Sequence, residues 1–182
     1  MIGPKNSITT ERLILRQWRQ SDFEPFAQLN ADPRVREYFL GVLTRQESDR
    51  ELVGFSHHID TCGWGSWAVS LRQTDEFIGF IGLDEVYFKM PFFPAIDIGW
   101  RLSFNHWGQG YATEGAQAAL QHGFNVLGLK EIVAYTAKQN YRSRHVIEKI
   151  GMQYDPQGDF EHPDFPDNHQ HKRHVLYKKR SV

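Results

Sequence analysis

A glycine-punctuated turn is the part of the sequence best suited to chemistry. It has the sequence Trp107-Gly108-Gln109-Gly110-Tyr111-Ala112-Thr113-Glu114. Gly108 and Gly110 leave the backbone without side chains, so successive N–H groups can converge on a ligand where a helix begins. A helix N-terminus also presents unpaired N–H donors and the positive end of the helix dipole, which together favour an anion such as a pyrophosphate. The turn is therefore a candidate phosphate cradle.

The same glycines would also suit a tight strand-to-helix turn in which they only relieve crowding, and a lone Gly-x-Gly favours that interpretation. Two familiar nucleotide motifs are excluded by residue type. A P-loop needs Gly-Lys followed by Ser or Thr, and the dinucleotide fingerprint needs a third glycine and an acidic residue after a second strand. Neither pattern is present. These residues alone leave the choice between a cradle and a tight turn open.

The turn lies where the hydrophobic period of the sequence changes. Over 96–102, apolar residues recur at every second position, which is typical of a strand with one apolar face. From Ala112 to Leu127, apolar or small residues recur at helical spacing, and Gly128 can terminate that helix at the position after its last turn. The turn is therefore predicted to join the end of a strand to the start of a helix.

The first forty residues predict a strand and a helix. Residues 10–17 are predicted to form a strand that could lie at a sheet edge. Ser21 or Asp22 is suited to cap the helix that follows, since both have short polar side chains. After an interruption at Asp-Pro, residues 35–40 are predicted to add a further turn.

A second helix and a hairpin come next. Thr44 and Glu47 form a capping-box pattern, which predicts a helix that runs to about Thr61. The alternating stretch 64–71 and the stretch 77–83 are separated by polar turn residues, so they predict an antiparallel hairpin. Residues 84–88 would extend its second strand. The bulky loop over 90–94 would be an interaction patch if exposed and core if buried, and its two prolines favour a surface turn.

The C-terminal part predicts a crossover followed by a strand pair. Residues 131–136 are predicted to form a short strand parallel to the central one, because a helix crosses over between them. Asn140 is suited to cap the next helix and Gly151 to end it. Strands are predicted over 152–155 and 172–178. The fold class is therefore α/β, a single mixed, mostly antiparallel sheet with a central parallel βαβ unit and helices on both faces.

Composition limits the class of protein. The chain has 182 residues, 40% apolar and 24% charged, which predicts one globular domain over 1–182. Its net charge of −1 gives no basic field for nucleic acid or an anionic membrane. No apolar run approaches the roughly 20 residues of a membrane helix. The single Cys62 excludes an internal disulfide, and the first seven residues lack the apolar core of a signal peptide, so a cytoplasmic protein is predicted, as a monomer or homodimer.

The residues around the turn resemble a known family. Trp107 to Glu114 is similar to the acetyl-CoA pyrophosphate loop of the GNAT N-acetyltransferase superfamily, and its branch resembles the ribosomal-protein N-terminal (alanine/serine) acetyltransferases. The superfamily's loop, Gln/Arg-x-x-Gly-x-Gly/Ala, places Gly110 and Ala112 on its two small positions. Trp107 stands where Gln or Arg is commoner, although the ribosomal-protein branch often has tryptophan there. Further matches cover nearly the whole chain, at Thr10-Glu11-Arg12-Leu13-Ile14-Leu15-Arg16, Ile98-Gly99-Trp100, Asn140-Tyr141-Arg142-Ser143 and Glu148-Lys149-Ile150-Gly151-Met152.

The resemblance implies an acetyl-CoA-dependent transferase whose sheet is splayed between its fourth and fifth strands, with the thioester in the gap. It also implies that Asn140 and Ser143 lie beside the pantetheine and the sulfur, where a serine hydroxyl could hydrogen-bond the leaving thiolate. Asn140 would in addition cap its helix, and Ser143 could be no more than a polar residue of the first turn. The expected acetyl-CoA-binding residues are Leu102, Ser103, Trp107, Gly108, Gln109, Gly110, Tyr111, Ala112, Thr113, Asn140 and Ser143.

The chemistry of acetyl transfer suggests further roles. An amine must lose its proton before attack, and Asp97 shares a strand face with Gly99, so it could look into a cavity and accept that proton through water. The alternative is a carboxylate paired with Arg101 on the same face. Backbone N–H groups near Leu102 and Ser103 could stabilise the oxyanion. Glu114, in the first helical turn, is expected mainly to complement the helix dipole.

A carboxylate-rich loop over 156–169 could assist the acceptor. It has few cations nearby in sequence, which predicts a local negative potential that attracts a protonated amine, although a solvated surface loop is the commoner outcome. The histidines of the C-terminal tail, including His169 and His171, lack a third convergent ligand, so no metal site is predicted. The carboxylates concerned are Asp155, Asp159, Glu161, Asp164 and Asp167.

The predicted function is an N-acetyltransferase that moves the acetyl group of acetyl-CoA to a primary amine by direct attack in a ternary complex. The amine could belong to a protein N-terminus or to a small cation such as a polyamine or aminoglycoside. A different class, a non-catalytic acyl-CoA-binding domain, would keep the turn without the chemistry. No nucleic-acid or membrane partner is expected.

Overall fold

A single eight-stranded sheet forms the centre of the structure, a computed structural model that describes residues 7–86 and 89–181. The strands are β1 (Ile8–Thr9), β2 (Leu13–Arg16), β3 (Ser66–Leu71), β4 (Phe77–Glu85), β5 (Ile96–Leu102), β6 (Glu131–Ala137), β7 (Gln153–Glu161) and β8 (Arg173–Arg180). Their order is β1-β2-β3-β4-β5-β6-β8-β7, and each neighbouring pair is antiparallel except β5 and β6, which are parallel. The predicted mixed, mostly antiparallel sheet with a central βαβ unit is confirmed.

Helices cover both faces of this sheet. They are α1 (Phe23–Ala31), α2 (Arg45–Cys62), α3 (Tyr111–Asn125) and α4 (Tyr141–Lys149). Phe80 pairs with Ala68 across β3 and β4, so Trp67, one residue away, points to the opposite face. Phe80 contacts Phe55 of α2, and Trp67 contacts His122 of α3. Helices α2 and α3 therefore lie on opposite sides. Within the described ranges, no helix is long and apolar enough to cross a bilayer.

Helix α3 lies very close to the sheet. A Cβ added at Gly115 would come within 2.3 Å of Ile81 Cδ1, so only glycine allows this approach without a shift of the isoleucine. The helix begins at Tyr111, close to the predicted Ala112, but it ends at Asn125, earlier than predicted. Gly128 has φ 69° in the turn that follows, where Leu129 N–H bonds to Gly123 O. Gly115 thereby allows the first half of α3 to pack against β4.

Three predictions near the N-terminus were wrong in detail. The predicted strand over 10–17 is shorter, and β1 precedes it and occupies the edge. Asp22 makes no capping bond to α1, because its carboxylate binds the Arg16 guanidinium at 2.7 and 2.9 Å and Arg19 N–H at 2.7 Å. Residues 35–40 form hydrogen-bonded turns instead of a helical turn. The buried ion pair with Arg16, six residues away, thus took the Asp22 carboxylate from the cap.

The other boundary signals are confirmed. Thr44 and Glu47 form both bonds of the capping box that opens α2. The hairpin is formed by β3 and β4, which pair from Ser66 with Gly82 to Ser70 with Phe77. Asn140 caps α4 through a bond from Ser143 N–H. Gly151 follows that helix with φ 78°, the left-handed conformation expected of it.

The loop over 90–94 divides its two phenylalanines between core and surface. Phe92 contacts Tyr135 and Phe160 with ring centroids 5.5 and 5.2 Å apart. Phe93 keeps 53% of its surface exposed. Of these two rings, only that of Phe92 packs against residues of β6 and β7. Strand β4 ends at Glu85, and positions 87 and 88 of its predicted extension lie outside the described residues.

The predicted acidic loop is partly a strand, and its charges are compensated. Strand β7 continues past 155 to Glu161 with an irregularity between Asp155 and Phe160. The antiparallel partner β8 and the residue before it bring basic side chains to this segment, which sequence proximity did not reveal. The expectation of few nearby cations was wrong. The ion pairs are Asp155–Lys178 at 2.8 Å, Asp159–Arg173 at 3.7 Å, Glu161–Lys172 at 3.8 Å and Asp167–Lys172.

The Arg16–Asp22 ion pair gives a test of how much a buried charge pair stabilises the N-terminal part of the fold. Asp22 is 1% exposed, and removal of one partner from a buried ion pair typically costs about 3–5 kcal/mol. We expect Asp22→Asn to lower the free energy of unfolding by that amount in urea titrations. Asp75→Asn is the matched control, because Asp75 pairs with Arg19 at the surface, where such a pair contributes ~0–1 kcal/mol. Equal losses in the two variants would contradict a dominant role for burial.

Candidate active site

A cleft of about 850 Å³ opens where β5 and β6 separate. In the register of the described residues, β5 pairs with β6 at Asp97 and Val133. Strand β6 then pairs along its length with β8, while β5 continues beside β4 to Leu102. The two parallel strands therefore diverge on the C-terminal side of Asp97. The gap between them connects the glycine turn and the start of α4 with the opposite face of the sheet.

The end of β5 determines which backbone groups face this gap. Ser103 N–H donates to Ile78 O at 2.8 Å, in continuation of the β4–β5 ladder. Because backbone groups of successive residues in a strand point to opposite sides, those of Trp100 and Leu102 point away from β4 and toward the gap. The expected oxyanion donor at Ser103 is therefore already engaged in the sheet. The Leu102 N–H is the one of the two that faces the gap.

The glycine turn has the conformation that its residues permit. Gly108 and Gly110 have φ 73° and 82°, in the left-handed region. A Cβ at Gly108 would meet no atom within 4 Å, so the surface there is open. Gly110 is the N-cap of α3 and makes no side-chain capping bond, which leaves the N–H groups of the first turn available to a ligand. Gly108, Gly110, Tyr111, Ala112 and Thr113 all line the cleft.

Arg12 holds this turn, a role that the sequence analysis missed. Its Nη1 donates to Gln109 O at 2.9 Å and its Nε to Glu114 Oε2 at 2.7 Å. Glu114 Oε1 also accepts the Thr10 hydroxyl at 2.6 Å. Burial opposes ionisation of Glu114, but these hydrogen bonds outweigh it and hold its pKa below the usual value. Glu114 is thus chiefly a clamp between the N-terminus and α3, with the dipole as a secondary benefit.

Trp107 acts as a structural clamp on the other side of the turn. Its indole Nε1 donates to Leu102 O at 2.8 Å, which ties the turn to the end of β5. The Arg142 guanidinium lies 4.7 Å from the Trp107 ring centroid. The aromatic residue that departs from the family's usual Gln or Arg therefore fixes the strand end instead of offering a polar side chain.

The start of α4 places Asn140 and Ser143 together at the cleft. Asn140 Oδ1 accepts Ser143 N–H at 3.2 Å, and its Nδ2 donates to Ser143 Oγ at 3.1 Å and to Thr136 Oγ1 at 3.0 Å. Because Ser143 Oγ accepts a bond from Asn140, its own hydroxyl proton is free to be donated to another acceptor. Asn140 therefore both caps α4 and orients the Ser143 hydroxyl as a hydrogen-bond donor.

Asp97 lines the cleft and is not paired with Arg101. The alternative considered from sequence is wrong, because Arg101 Nη1 binds Glu51 Oε2 at 2.8 Å and Asn30 Oδ1 at 2.7 Å. Burial, reinforced by the charge of Asp84, raises the pKa of Asp97 to about 7. A carboxyl group with that pKa can accept and return a proton near neutral pH.

Two further groups of the cleft were not found from sequence. Asp84 stands opposite Asp97 in the β4–β5 register, and burial raises its pKa. Tyr135 of β6 also lines the cleft, and burial, together with the charge of Asp97, raises the pKa of its phenol. The sequence placed Asp84 only in an extension of the second hairpin strand, and its partner could be revealed only by the strand register.

The segment over 32–44 crosses the mouth of the cleft between α1 and α2. Arg34 lies over the Phe104 ring at 3.9 Å, and Glu37 forms an ion pair with Arg142 of α4. Tyr38 contacts His171 with ring centroids 5.0 Å apart. These contacts attach the segment to three other parts of the molecule, so it acts as the roof of the cleft.

The tail histidines form an aromatic cluster beside the cleft. His162 and His174 have ring centroids 4.8 Å apart, and Phe165 lies 5.6 Å from His174. Burial lowers the pKa of His174 to about 4, so that ring is neutral near pH 7. Over residues 7–86 and 89–181, no three His, Cys, Asp or Glu side chains are grouped in a way that could hold a metal ion.

The sequence of this chain is similar to a family of acetyltransferases and to individual members of it. The family described as "Acetyltransferase (GNAT) domain" matches residues 12–153. The uncharacterized N-acetyltransferase YnaD of Bacillus subtilis is 32% identical over 80% of this chain and 81% of its own length. The FsC-acetyl coenzyme A-N(2)-transacetylase of Aspergillus fumigatus is 40% identical over 83% of this chain and 66% of its own.

Solved structures show the same architecture. A GNAT-family acetyltransferase from Bacillus anthracis superposes with a TM-score of 0.79 and 26% identity, covering 96% of this chain and 98% of its own. RimL, a ribosomal L7/L12 α-N-protein acetyltransferase crystallised with coenzyme A, superposes with a TM-score of 0.77 and 16% identity, covering 96% and 97%. At that identity RimL shows the shared fold alone.

The open surface at Gly108 permits a controlled test of the phosphate cradle. We expect Gly108→Asp to weaken acetyl-CoA binding roughly tenfold or more, because a carboxylate would lie where an anion is favoured. Gly128→Asp is the control, since Gly128 has nearly the same φ, 69° against 73°, has open space around its Cβ, and lies outside the cleft. Titration calorimetry would measure both affinities. Equal losses of affinity in the two variants would attribute the effect to backbone strain and contradict the assignment of the turn as a phosphate cradle.

Proposed function

Because this chain belongs to the acetyltransferase (GNAT) family, we propose that it transfers the acetyl group of acetyl-CoA to a primary α-amine by direct attack, with Asp97 as the general base. One observation carries the proposal. Asp97 is the β5 residue that pairs with β6 immediately before the two strands diverge, and its carboxyl group lines the cleft without a cationic partner in the described structure. A base at that position adjoins the gap in which the family binds its thioester.

Family membership makes the chain an N-acetyltransferase with acetyl-CoA as its co-substrate and an amine as its acceptor. The name of the fungal relative likewise specifies acetyl coenzyme A and transfer to a nitrogen. In this chain we assign the pyrophosphate to the turn from Trp107 to Thr113 and the pantetheine to the β5–β6 gap. Gly108 and Gly110 would give backbone N–H groups access to the phosphates, and Leu102 would offer its backbone to the pantetheine.

The first chemical step removes a proton from the acceptor. A bound ammonium group loses one proton to the Asp97 carboxylate, and the nitrogen lone pair then forms a bond to the thioester carbon. The carbonyl π electrons move to oxygen, which gains a negative charge. The Leu102 N–H faces the gap and is our candidate donor to that oxygen.

The second step expels the thiolate. Return of the electron pair restores the C=O bond and breaks the C–S bond, while the nitrogen loses its second proton to the departing sulfur. We assign to Ser143 a hydrogen bond to this sulfur, and the assignment is supported by Asn140, which donates to Ser143 Oγ and leaves the hydroxyl proton free. The products are the amide and the CoA thiol, and Asp97 releases the first proton to solvent. Atoms and charge therefore balance without a metal or a redox partner.

The pKa of Asp97 favours an α-amine as the acceptor. An α-amino group has a pKa of about 8, and a lysine or polyamine nitrogen has a pKa above about 10. Transfer to a carboxylate whose pKa is about 7 is therefore opposed by about one pK unit for an α-amine and by about three for a lysine. The match supports a peptide N-terminus or an amino acid derivative over a small polycation.

An acceptor series tests the proposal as a whole. Alanyl-serine, Nα-acetyl-lysine amide and spermidine would be compared by thiol release from acetyl-CoA at pH 7.5, with N-acetyl-alanyl-serine as the blocked control. We expect kcat/KM for the free α-amine to exceed that for the ε-amine at least about tenfold, because of the difference in amine pKa. A preference for spermidine would assign the site to a small cation. Acetyl-CoA binding without thiol release for any amine would indicate a non-catalytic binding domain.

The role of Asp97 gives a pH-dependent prediction. The base must be ionised to accept a proton, so activity of the parent should rise as the pH increases through about 7, the pKa of Asp97. Asp97→Asn should lower kcat/KM by roughly 100-fold below pH 7, and the deficit should narrow above the pKa of the amine, where free amine no longer needs a base.

Asp75→Asn supplies the control for this profile, because Asp75 lies in the turn between β3 and β4 and its carboxylate pairs with Arg19 at the surface. It should leave the pH–rate curve unchanged. A folded Asp97→Asn enzyme with parental rates at every pH would eliminate Asp97 as the base and direct attention to a water relay.

A further inference from the structure

Asp84 and Asp97 form a carboxylate pair across two central strands. They are direct partners in the antiparallel register of β4 and β5, so their Cα atoms lie about 4.5–5.5 Å apart and their side chains project from the same face. Both line the cleft, and both are partly buried. One oxygen of Asp84 accepts Glu85 N–H at 2.9 Å. Arg101, the nearest cation along β5, is already bound to Glu51.

Few compensating charges face the pair. Glu85 adjoins Asp84 but is exposed, so solvent screens it. His58 of α2 is close enough to lower the pKa of Asp84, and its Nε2 is buried without a hydrogen-bond partner in the described structure. Tyr135 is a neutral phenol. The charged and titratable groups around the pair are Glu85 on its own strand, His58 from α2, Tyr135 from β6, Lys89 from the loop before β5, and His162 and Asp164 from the loop before β8.

We propose that Asp84 is a positioning residue for the acetyl transfer, whose negative charge makes the Asp97 carboxylate a strong enough base to take the proton of the acceptor. The inference rests on the proposed function, in which Asp97 is the base. Two carboxylates this close in a partly buried site resist ionising together, so the first proton taken up is held more tightly than by either group alone. Without Asp84, a carboxylate at position 97 would ionise at lower pH and pull less on an ammonium proton.

The pair also explains how an ammonium group enters the site before it reacts. The protonated amine is positively charged, and two partly buried carboxylates attract it. The same electrostatic attraction therefore favours both its binding and the transfer of its proton. The N–H bond breaks and the proton moves to Asp97, while Asp84 remains a carboxylate beside it. Once the acetylated product leaves, Asp97 returns this proton to solvent and the pair is restored.

The test is the pH dependence of kcat/KM for an α-amine acceptor in Asp84→Asn. Removal of one charge about 5 Å from Asp97 should move the acid limb of the profile down by about one pH unit and lower the plateau several-fold, since a weaker base remains. Asp84→Glu keeps the charge and should restore the parental limb. An unshifted limb in folded Asp84→Asn would overturn the proposal.

Glu85→Gln is the matched control for a nonspecific charge effect. It removes the same charge one residue away, from the neighbouring and exposed position of β4. The acid limb of the pH profile of Glu85→Gln should shift by less than half as much as the acid limb of Asp84→Asn. Equal shifts in the two variants would contradict a specific pair.

Carboxyl-carbon NMR titration keeps the inference testable apart from activity. In the parent protein the Asp84 and Asp97 resonances should titrate together, and in Asp97→Asn the midpoint of Asp84 should fall. Independent titration of the two groups would reject the pair even if acetylation is normal. Coupled titration in a protein that acetylates no amine would instead reject the proposed function and leave the pair standing.

Discussion

The divergence of β5 and β6 is the constraint on which the rest of the site depends. Parallel strands normally satisfy each other's backbone groups along their length, but here the pairing in the described structure is at Asp97 and Val133. Beyond that point the backbone of Trp100 and the N–H of Leu102 face a gap, while Leu102 O accepts the Trp107 indole. Unpaired backbone polar groups in a protein interior need a partner. A ligand with amide groups, such as the pantetheine of a co-substrate, fits that need.

Such a gap persists only if its borders are held from outside. Trp107 ties the glycine turn to Leu102 O, and Arg12 ties the same turn to the N-terminal strands through Glu114. On the opposite border, Asn140 links α4 to Thr136 of β6. The Arg12 bonds join residues about a hundred positions apart, whereas the Trp107 and Asn140 bonds each join two neighbouring elements only a few residues apart. Together they let the first turn of α3 and the start of α4 meet at the cleft without closing it.

The charged residues along the cleft wall differ in their electrostatic surroundings. Arg101 and Glu51 neutralise each other next to Asn30, so this part of the wall is structural. Asp84 and Asp97 lie on another part of the wall, and burial favours their protonated forms. The same cost of burying a charge that would weaken an ordinary core raises the pKa of Asp97 to about 7, which suits the base that we propose.

Local patterns in the sequence were sufficient for much of this description. The capping box at Thr44, the Asn140 cap, the left-handed glycines and the change of period around the turn each depend on residues within a few positions of one another. They predicted the elements and the fold class, and they brought Asp97, Asn140, Ser143 and the glycine turn into consideration. Their placement around one cleft agrees with the structure, while their catalytic roles stay predictions.

Partners from distant elements were decided by the tertiary structure alone. Sequence proximity suggested that Asp97 would pair with Arg101, that Asp22 would cap a helix and that the acidic loop would lack cations. In the fold, Arg101 binds Glu51, Asp22 binds Arg16, and β8 with its preceding residue supplies the cations. Strand register likewise created the Asp84–Asp97 pair. Charges interact over distances that the fold sets, and a buried charge takes whichever partner the packing brings within reach, so their pairing could not be read from spacing along the chain.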